Sequence, residues 1–594
     1  MNRTLRSCQH EAVLAQRSRL QDMGPMEQGG WWLLLLLLLG FHPAHGQCPE
    51  QCQCVRTAQV ECSGAGITAV PSPIPANAMT LQIINTRITE LGEASFGNAS
   101  LLIGLRIEKN DLRRVSPDAF QHLPDLRYLS LASNKLQELP VQVFQPLGKL
   151  ESLLLSSNQL LRVEPDHFAH LSNLKELQLH GNNLRELTEG LFDQLASLTK
   201  LNLARNNLDR LPPRAFERLP QLQVLRLYEN RLRHIPAGAF DALPELQELG
   251  LHQNQLETLS PELFVHNGNL QKLYLSNNLL TALPAGIFLP LRALSKITLH
   301  VNRLRDISPA AFGPTPNLRE LWLYENELAA LPAAVFSNLT QLQLLVLSKN
   351  QLRSLAPGAF RGLGELLELS LHSNALRRLD AGALGGMPKL QNISLQNNRL
   401  QTLPRGLFAA TPRLQHIQLH ANTLENLPAG IFSPLAAVRE VKLHNNSWRC
   451  DRAILPLRAW LEANPGKVGE IPPVCAQPAP LQGAPIAELR QDQLPTAWPS
   501  TLLPARPSQE ELPSGSPTTL LATPRYQEKE EEEGEEEEES RGWWGLTRTQ
   551  SAVVVAVIVL LCVALLCALV ALVVYGCRKK SHVVLMRMKA PNEA

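Results

Sequence analysis

The stretch LQVLRLYENRLRHIPAGAF, residues 222–240, decides the fold of this chain. Its leucines stand at positions 222, 225, 227 and 232, and Asn230 lies among them. An apolar core does not need an asparagine, so the question is whether this one recurs. Asparagine returns with a constant period of 24 from Asn110 to Asn446, and Thr86 fills the same slot one step earlier. The chain therefore contains sixteen copies of one unit, numbered here from the unit of Thr86 to that of Asn446.

Phenylalanine follows the same period. A series begins at Phe96, continues to Phe432 and is interrupted only by Leu384. Of the 15 phenylalanines, all except Phe41 belong to this series. Self-similarity at this period, with the pattern L-x-x-L-x-L-x-x-N-x-L, is typical of leucine-rich repeats. The sequence predicts an α/β-type leucine-rich repeat solenoid, made mostly of short parallel strands and loops in a right-handed curved array.

The asparagine has a physical role in such a unit. Each unit supplies one short strand, residues 224–226 in unit seven, and neighbouring strands pair into a parallel sheet with leucines beneath it. The chain then turns inside an apolar wall, where an unpaired backbone group is costly. An asparagine side chain offers both a donor and an acceptor, so we expect it to bond the backbone of the adjoining turn. Since no unit buries its own core, the stack needs a cap at both ends.

Six of the 10 cysteines flank the repeats, and none lies between them. Four precede the first unit and two follow the last, at positions Cys48, Cys52, Cys54, Cys62, Cys450 and Cys475. A metal site is the alternative for the first four, but their spacing is not a paired C-x-x-C. An oxidising compartment favours disulfides, and four cysteines alone allow three pairings.

Two apolar segments predict the compartment. Trp31–Leu39, followed by small residues, is typical of a secretory signal peptide cleaved near Gly46; Met26 is a possible start. Ala552–Tyr575 has no charged residue and is long enough to span a bilayer. The basic residues that follow at 578–580 place the C-terminus in the cytosol. We therefore expect a single-pass type I protein of the plasma membrane with an extracellular ectodomain.

The segment between the repeats and the membrane differs in composition. It is rich in proline, serine and threonine and then in glutamate, with EKEEEEGEEEEES at residues 528–540. Such segments are typical of an extended stalk. The predicted order is a signal peptide (1–46), an N-terminal cysteine-rich cap (47–77), sixteen repeats (78–445), a C-terminal cap (446–480), a stalk (481–550), a transmembrane helix (551–577) and a cytoplasmic tail (578–594).

The two cysteine clusters carry a family resemblance. CPEQCQC at 48–54 and NSWRCDRAILPLRAWLEANP from Asn446 resemble the two caps of extracellular leucine-rich repeat transmembrane proteins. The resemblance implies the disulfides Cys48–Cys54 and Cys52–Cys62, and it implies that Trp448 and Trp460 are buried. Because Arg452 occupies the slot of one cap cysteine, we expect a single C-terminal bridge, Cys450–Cys475.

The same resemblance implies a function. It is that of a non-enzymatic cell-surface adhesion protein that binds collagen, fibronectin and laminin and promotes cell migration. The alternative is a co-receptor or a subunit of a receptor complex, whose partner is another cell-surface protein. The sequence shows no nucleophile–base pairing, phosphate loop or metal-ligand spacing, so we predict no catalytic residue, metal or cofactor. A net charge of +2 indicates no bulk preference for nucleic acid.

Side-chain alternation predicts where a partner binds. Side chains alternate across a strand, so the positions of residues 224, 226 and 228 face outward, on the concave side. The five aromatics of the repeats outside the phenylalanine series all hold such positions, and four of them lie in units seven to eleven. Tyrosine, tryptophan and arginine are enriched at binding hot spots. The predicted partner-binding residues are Arg226, Tyr228, Glu229, Tyr274, Trp322, Tyr324 and Glu325. The alternative is that the rings only pack across strands.

Histidines and sequons also occupy regular positions. Histidine directly follows the second leucine of L-x-L in six units, which favours a tolerated polar slot over a metal or pH-sensing site. These are His180, His252, His300, His372, His420 and His444. The predicted glycosylation sites are Asn98, Asn338, Asn392 and Asn445. A glycan on Asn392, at a concave strand position, would leave units seven to eleven as the open part of the sheet.

Overall fold

The structure is a computed structural model that describes residues 48–55 and 58–495. The predicted signal peptide (1–46), transmembrane helix (551–577) and cytoplasmic tail (578–594) lie outside the described residues, as does the stalk beyond residue 495. Within the described part of the chain, no helix combines the length and the apolar character needed to cross a membrane.

One sheet of 18 strands dominates the described residues, and a second sheet has two strands. The strands are β1 Cys52–Val55, β2 Gln59–Ser63, β3 Thr80–Ile84, β4 Glu90–Leu91, β5 Gly104–Glu108, β6 Arg114–Val115, β7 Tyr128–Ser130, β8 Ser152–Leu154, β9 Glu176–Gln178, β10 Lys200–Asn202, β11 Val224–Arg226, β12 Glu248–Gly250, β13 Lys272–Tyr274, β14 Lys296–Thr298, β15 Glu320–Trp322, β16 Leu344–Val346, β17 Glu368–Ser370, β18 Asn392–Ser394, β19 His416–Gln418 and β20 Glu440–Lys442. Strands β1 and β2 pair antiparallel, whereas β2 and the sixteen strands of the units pair in parallel.

The register is constant from unit to unit. Val224 on β11 lies opposite Glu248 on β12, and the other pairs of neighbouring unit strands repeat this offset of one full period. Strands β4 and β6 form the small parallel sheet. The helices are short: α1 is Pro165–Phe168 and α2 is Leu455–Ala463, with 3-10 turns at Glu93–Phe96, Arg452–Ile454, Pro465–Lys467, Ala479–Leu481, Ile486–Glu488 and Gln491–Gln493. The fold is a parallel β-solenoid, as predicted.

The recurring asparagine bonds the backbone of its own unit and of the unit before it. In unit seven, Asn230 Nδ2 donates to the carbonyls of Leu203 and Leu227 at 3.0 and 3.1 Å. Its Oδ1 accepts from the backbone N–H of Leu208 at 3.1 Å. The residue is buried, so each bond satisfies a backbone group that water does not reach. This arrangement explains why an asparagine stands among leucines in every unit from the second onward.

We call Thr86 and the fifteen recurring asparagines the asparagine ladder. The position before each ladder residue has a backbone feature that the sequence did not reveal. In all sixteen units its φ is positive: from 51° to 58° in fifteen of them, and 69° at Gly181. This left-handed conformation turns the chain away from the strand, and non-glycine residues adopt it at a cost. Val301 is the β-branched member of the set, at φ 54°.

The opposite wall of the core is built from the phenylalanine series. Phe216 and Phe240 lie 6.4 Å apart between ring centroids and are stacked within 19°. Leu384 takes the phenylalanine slot of its unit and is equally buried. Rings and leucines thus form one continuous hydrophobic core through all sixteen units.

Three disulfides tie down the two caps. They join Cys48 to Cys54, Cys52 to Cys62 and Cys450 to Cys475, which are the pairs that the family resemblance implies. Trp448 is fully buried, and its Nε1 donates to the carbonyl of Leu443 at 3.0 Å.

Two expectations about the C-terminal cap differ from the structure. Trp460 is only half-buried: its ring packs at the margin of the core, tilted against Phe432 with the ring centroids 4.7 Å apart. The packed region also continues past residue 480, since Ile486, Leu489 and Leu494 are buried in the core. The predicted boundary between cap and stalk at residues 480 and 481 is therefore too early.

Candidate protein-binding surface

The outward positions of units seven to eleven form a surface of half-exposed rings. On β11, Leu225 is buried while its neighbours Val224 and Arg226 are half-exposed, as alternation requires. Four aromatic side chains are half-buried on this side of the sheet: Tyr228, Tyr274, Trp322 and Tyr324. We call the exposed sheet surface of β11 to β15, with the residue two positions after each strand, the aromatic face.

One half of the aromatic face centres on His252. Its ring stacks on Tyr228 with centroids 4.4 Å apart and planes within 12°. The edge of Tyr274 meets the same imidazole at 5.8 Å. Gly250 separates Arg226 from Tyr274 in the row of strand ends, so this row has a gap between two large side chains.

The other half centres on His300. Its ring stacks on Tyr324 at 4.4 Å, and Trp322 tilts against it at 6.3 Å. Trp322 is fixed from two further sides. Its Nε1 donates to Glu320 Oε2 at 3.2 Å, and the Lys296 ammonium lies 5.6 Å from the ring centroid. The rings are therefore held in place before any partner arrives.

The charged residues predicted for the site are already paired. Arg226 donates to Glu248 at 2.9 Å, and Glu229 accepts from Arg205 at 2.9 Å. Glu325 pairs with Lys349. Each of these pairs bridges neighbouring units at the margin of the rings. Partly exposed ion pairs contribute little stability, so their main effect here is to fix side-chain positions around the aromatic face.

Two histidines, His252 and His300, belong to this surface although the sequence analysis did not include them in it. Burial lowers the pKa of His300 to about 4, against a smaller opposite effect of Glu325, and burial also lowers the pKa of His252. Both rings are therefore neutral at physiological pH. Their Nδ1 atoms have no hydrogen-bond partner within residues 48–55 and 58–495. The two imidazoles thus act mainly as flat packing surfaces for Tyr228 and Tyr324.

Two further histidines of the same slot lie in adjacent units and stack on each other. His420 and His444 stack at 4.5 Å, and burial lowers the pKa of both, to about 4 for His420. Among the described residues, no group of three histidine, cysteine, aspartate or glutamate side chains is placed to hold a metal ion.

Comparison with known proteins defines the family. The family profile described as Leucine rich repeat matches residues 76–136, 148–208, 196–256, 244–304, 292–352, 340–400 and 388–447, more than half of the chain. The chain belongs to the leucine-rich repeat family. Over 70 residues it is 64% identical to leucine-rich repeat-containing protein 15 of Homo sapiens, covering 12% of each chain. Podocan of Mus musculus is 31% identical over 100 residues, covering 16% of each chain.

A solved structure shows the same leucine-rich repeat architecture. The complex of Toll with Spatzle from Drosophila contains a chain that superposes with a TM-score of 0.60 at 25% identity. The match covers 70% of the present chain and 61% of that one. The chain thus matches less than two thirds of the length of each of these relatives.

The sequons of the leucine-rich repeats differ in exposure. Asn98, Asn338 and Asn445 are exposed, whereas Asn392 is half-buried on β18. Strand β18 lies three strands beyond the end of the aromatic face at β15. Glycosylation at any of the four remains a prediction.

Proposed function

We propose that this leucine-rich repeat chain is a recognition protein of the cell surface whose aromatic face binds an extracellular matrix protein. Collagen, fibronectin and laminin are the proposed partners, and cell adhesion and migration are the proposed outcome. The observation that carries the proposal is the pair of stacked ring clusters on five adjacent strands. The Toll chain, which is similar in fold, forms a complex with the protein Spatzle, and this supports a protein partner.

The physical argument concerns the width of the aromatic face and the rigidity of its rings. Five neighbouring strands extend over roughly 20 Å at about 4.8 Å per step, a width suited to a protein segment. Tyrosine and tryptophan contribute most to binding when they are rigid and lose little conformational freedom on contact. The stacks on His252 and His300 supply that rigidity, while each tyrosine and tryptophan side chain stays partly exposed.

The proposed setting follows the sequence. A signal peptide and the span at 551–577 would place the leucine-rich repeats outside the plasma membrane on a type I protein. A glycan on Asn392 would cover unit fourteen and leave the aromatic face open. Detection of unmodified Asn392 by glycopeptide mapping of the secreted or membrane-bound chain would remove this part of the proposal.

The test compares two aromatic sites on the same sheet. The full chain, purified in a mild detergent, is bound to immobilised collagen, fibronectin and laminin. The variant Trp322→Ala/Tyr324→Ala removes one ring cluster, and Tyr128→Ala removes an outward ring of unit three, on β7. We expect the double variant to weaken binding by about 30-fold or more, as for a hot spot of about 2 kcal/mol, and Tyr128→Ala to leave it unchanged. Thermal melting verifies that both variants are folded.

The outcomes separate the proposal from its alternative. Equal loss of binding in both variants would contradict the assignment to units seven to eleven. No binding by the unmutated chain to any of the three matrix proteins would overturn the adhesion proposal. The alternative is then a non-enzymatic co-receptor or receptor-complex subunit, similar in plan to platelet glycoprotein V, and its test is co-purification with one membrane partner.

A further inference from the structure

A second surface lies in the turns that follow the strands, just after the recurring asparagine, in units twelve to fourteen. Arg353, Arg377 and Arg399 are exposed there and line an open depression of about 650 Å³. We call these three residues the arginine edge. The other lining residues are Asn350, Gln351, Ser373, Asn374 and Ala375.

The repeat geometry shows how close two of these arginines are placed. Three units earlier, Arg305 and Glu327 occupy the same two positions and form an ion pair at 3.0 Å. Moving both positions forward by three periods gives Arg377 and Arg399. Arg399 therefore places a guanidinium at the position where Glu327 supplies the carboxylate three units earlier.

The other pair, Arg353 and Arg377, is 24 residues apart instead of 22, and it can be compared with an ion pair at the same two positions. Three units later, Glu425 and Arg449 form an ion pair at 3.4 Å. Moving both positions back by three periods gives Arg353 and Arg377. Both neighbouring pairs of the arginine edge therefore combine like charges at spacings that carry opposite charges elsewhere in the array.

None of the described carboxylates forms an ion pair with the arginine edge. Within residues 48–55 and 58–495, no aspartate or glutamate oxygen lies within 4.0 Å of the side-chain nitrogens of Arg353, Arg377 or Arg399. By contrast, the basic residues of the similar depression in units two to four are mostly paired: Arg114 with Glu90, and Lys135 with Asp111. Unpaired like charges in adjacent units repel, and an external anion between them removes that repulsion.

We propose that the arginine edge binds the sulfate groups of a sulfated glycosaminoglycan. Guanidinium groups bind sulfate-like oxyanions through paired hydrogen bonds, and a row of them at one-strand intervals of about 5 Å suits a linear polyanion. The lining is polar apart from Ala375, and the aromatic rings lie on the sheet face in units seven to eleven. A protein partner would need apolar anchors, which this depression does not supply.

The decisive variant uses a substitution that the array already contains. Gln137 and Gln159 hold the positions of Arg377 and Arg399 ten units earlier, and they hydrogen-bond to each other at 3.3 Å. The triple variant Arg353→Gln/Arg377→Gln/Arg399→Gln is therefore expected to fold normally. It removes three positive charges without breaking any ion pair of the described part of the chain.

A matched control removes the same charge from another edge. Arg114→Gln/Lys135→Gln/Arg162→Gln takes three positive charges from units two to four, where each of the three is ion-paired. A comparison of the two triple variants separates a specific site from an effect of net charge. Thermal melting reports whether each variant is folded.

The measurement is the binding of the full chain, in mild detergent, to immobilised heparin at about 0.15 M salt, where surface charges are screened beyond roughly 8 Å. We expect the arginine-edge variant to bind about tenfold more weakly or worse, and the control to stay within about twofold of the unmutated chain. Equal weakening in both variants, or no heparin binding by the unmutated chain, would overturn the proposal.

Two competitors identify the ligand chemistry. Desulfated heparin keeps the carboxylates of the polymer but loses its sulfates, and we expect it to compete poorly. A synthetic peptide of residues 528–540 carries the chain's own acidic block. If this peptide competes as well as heparin at equal charge, the edge binds acidic protein segments and the glycosaminoglycan proposal is wrong. Because the aromatic face is a separate surface, Trp322→Ala/Tyr324→Ala should bind heparin normally whether or not matrix binding is found.

Discussion

Two features of the turn recur along the array: a side chain that bonds the backbone, and a residue with a positive φ. They differ in how visible they are in the sequence. The asparagine ladder is visible, because the bonds made by Asn230 require its particular side chain. The left-handed residue before it cannot be recognised in the sequence, because what recurs there is a backbone conformation and not a side chain. Residues as different as Glu229, Val301 and Ala421 occupy that position, so no residue type marks it. Strict recurrence of a side chain was therefore predictable, whereas strict recurrence of a dihedral angle was not.

The first prediction concerns the ladder. Asn206 Nδ2 donates to the carbonyls of Leu179 and Leu203, and its Oδ1 accepts from Leu184 N–H at 3.1 Å. Asn206→Ala leaves these buried groups unpaired and should lower the free energy of unfolding by about 3 kcal/mol. Urea denaturation measures the change. Asn207→Ala, at the adjacent half-buried position, is the control and should cost far less.

The second prediction concerns the left-handed position. Val301 is β-branched at φ 54°, while Asn277 holds the same position one unit earlier at the same φ. Val301→Asn should stabilise the chain by about 1 kcal/mol, because asparagine tolerates this backbone region better. The reciprocal Asn277→Val should destabilise it by a similar amount. A result of the same sign for both substitutions in thermal melting would contradict the explanation.

Individual strands alternate inward and outward as the sequence predicts, but the contacts between neighbouring strands were only partly foreseen. The outward positions of Tyr228 and Tyr324 follow from the period alone. Their stacking on His252 and His300 depends on side-chain rotamers in adjacent units, which residue spacing does not specify. A signal did exist, since each histidine lies one full period from the tyrosine it stacks on. It is found by comparing all residue types across units instead of aromatic residues alone.

The third prediction follows from the histidine stacks. The pKa of His300 is about 4 in the folded chain, below about 6.5 in an unfolded one. At this residue the unfolded chain therefore binds more protons between these values, so the contribution of His300 to stability should fall as pH drops from about 6.5 to 4 and change no further below that. Melting temperatures at pH 7.0 and 4.5 measure this loss.

The matched substitutions for the pH experiment are His300→Gln and His122→Gln. Glutamine occurs naturally in the same slot at Gln396, and His122 is an exposed residue outside the stacks. His300→Gln should reduce the difference between the two melting temperatures, and His122→Gln should leave it unchanged. An undiminished difference in His300→Gln would show that other groups carry the acid sensitivity.

The whole molecule places two proposed binding surfaces on one array. In a solenoid each unit contacts only its neighbours, so separate segments can carry separate functions at little mutual cost. The aromatic face occupies units seven to eleven and the arginine edge units twelve to fourteen. The repeat period predicted the array, and the family resemblance implied the disulfide pairs of the caps. Neither predicted the arginine edge, which emerges only when ion pairs such as Arg305–Glu327 show which positions touch.

The most direct test of the central claim is hydroxyl-radical footprinting of the full chain, alone and bound to the matrix protein that it retains. Oxidation reports the solvent exposure of each ring without any substitution. The account predicts that binding protects Trp322 and Tyr324 several-fold while Tyr128 on β7 reacts as in the free chain. Unchanged oxidation of Trp322 and Tyr324 in the complex would contradict the assignment of the partner site to the aromatic face.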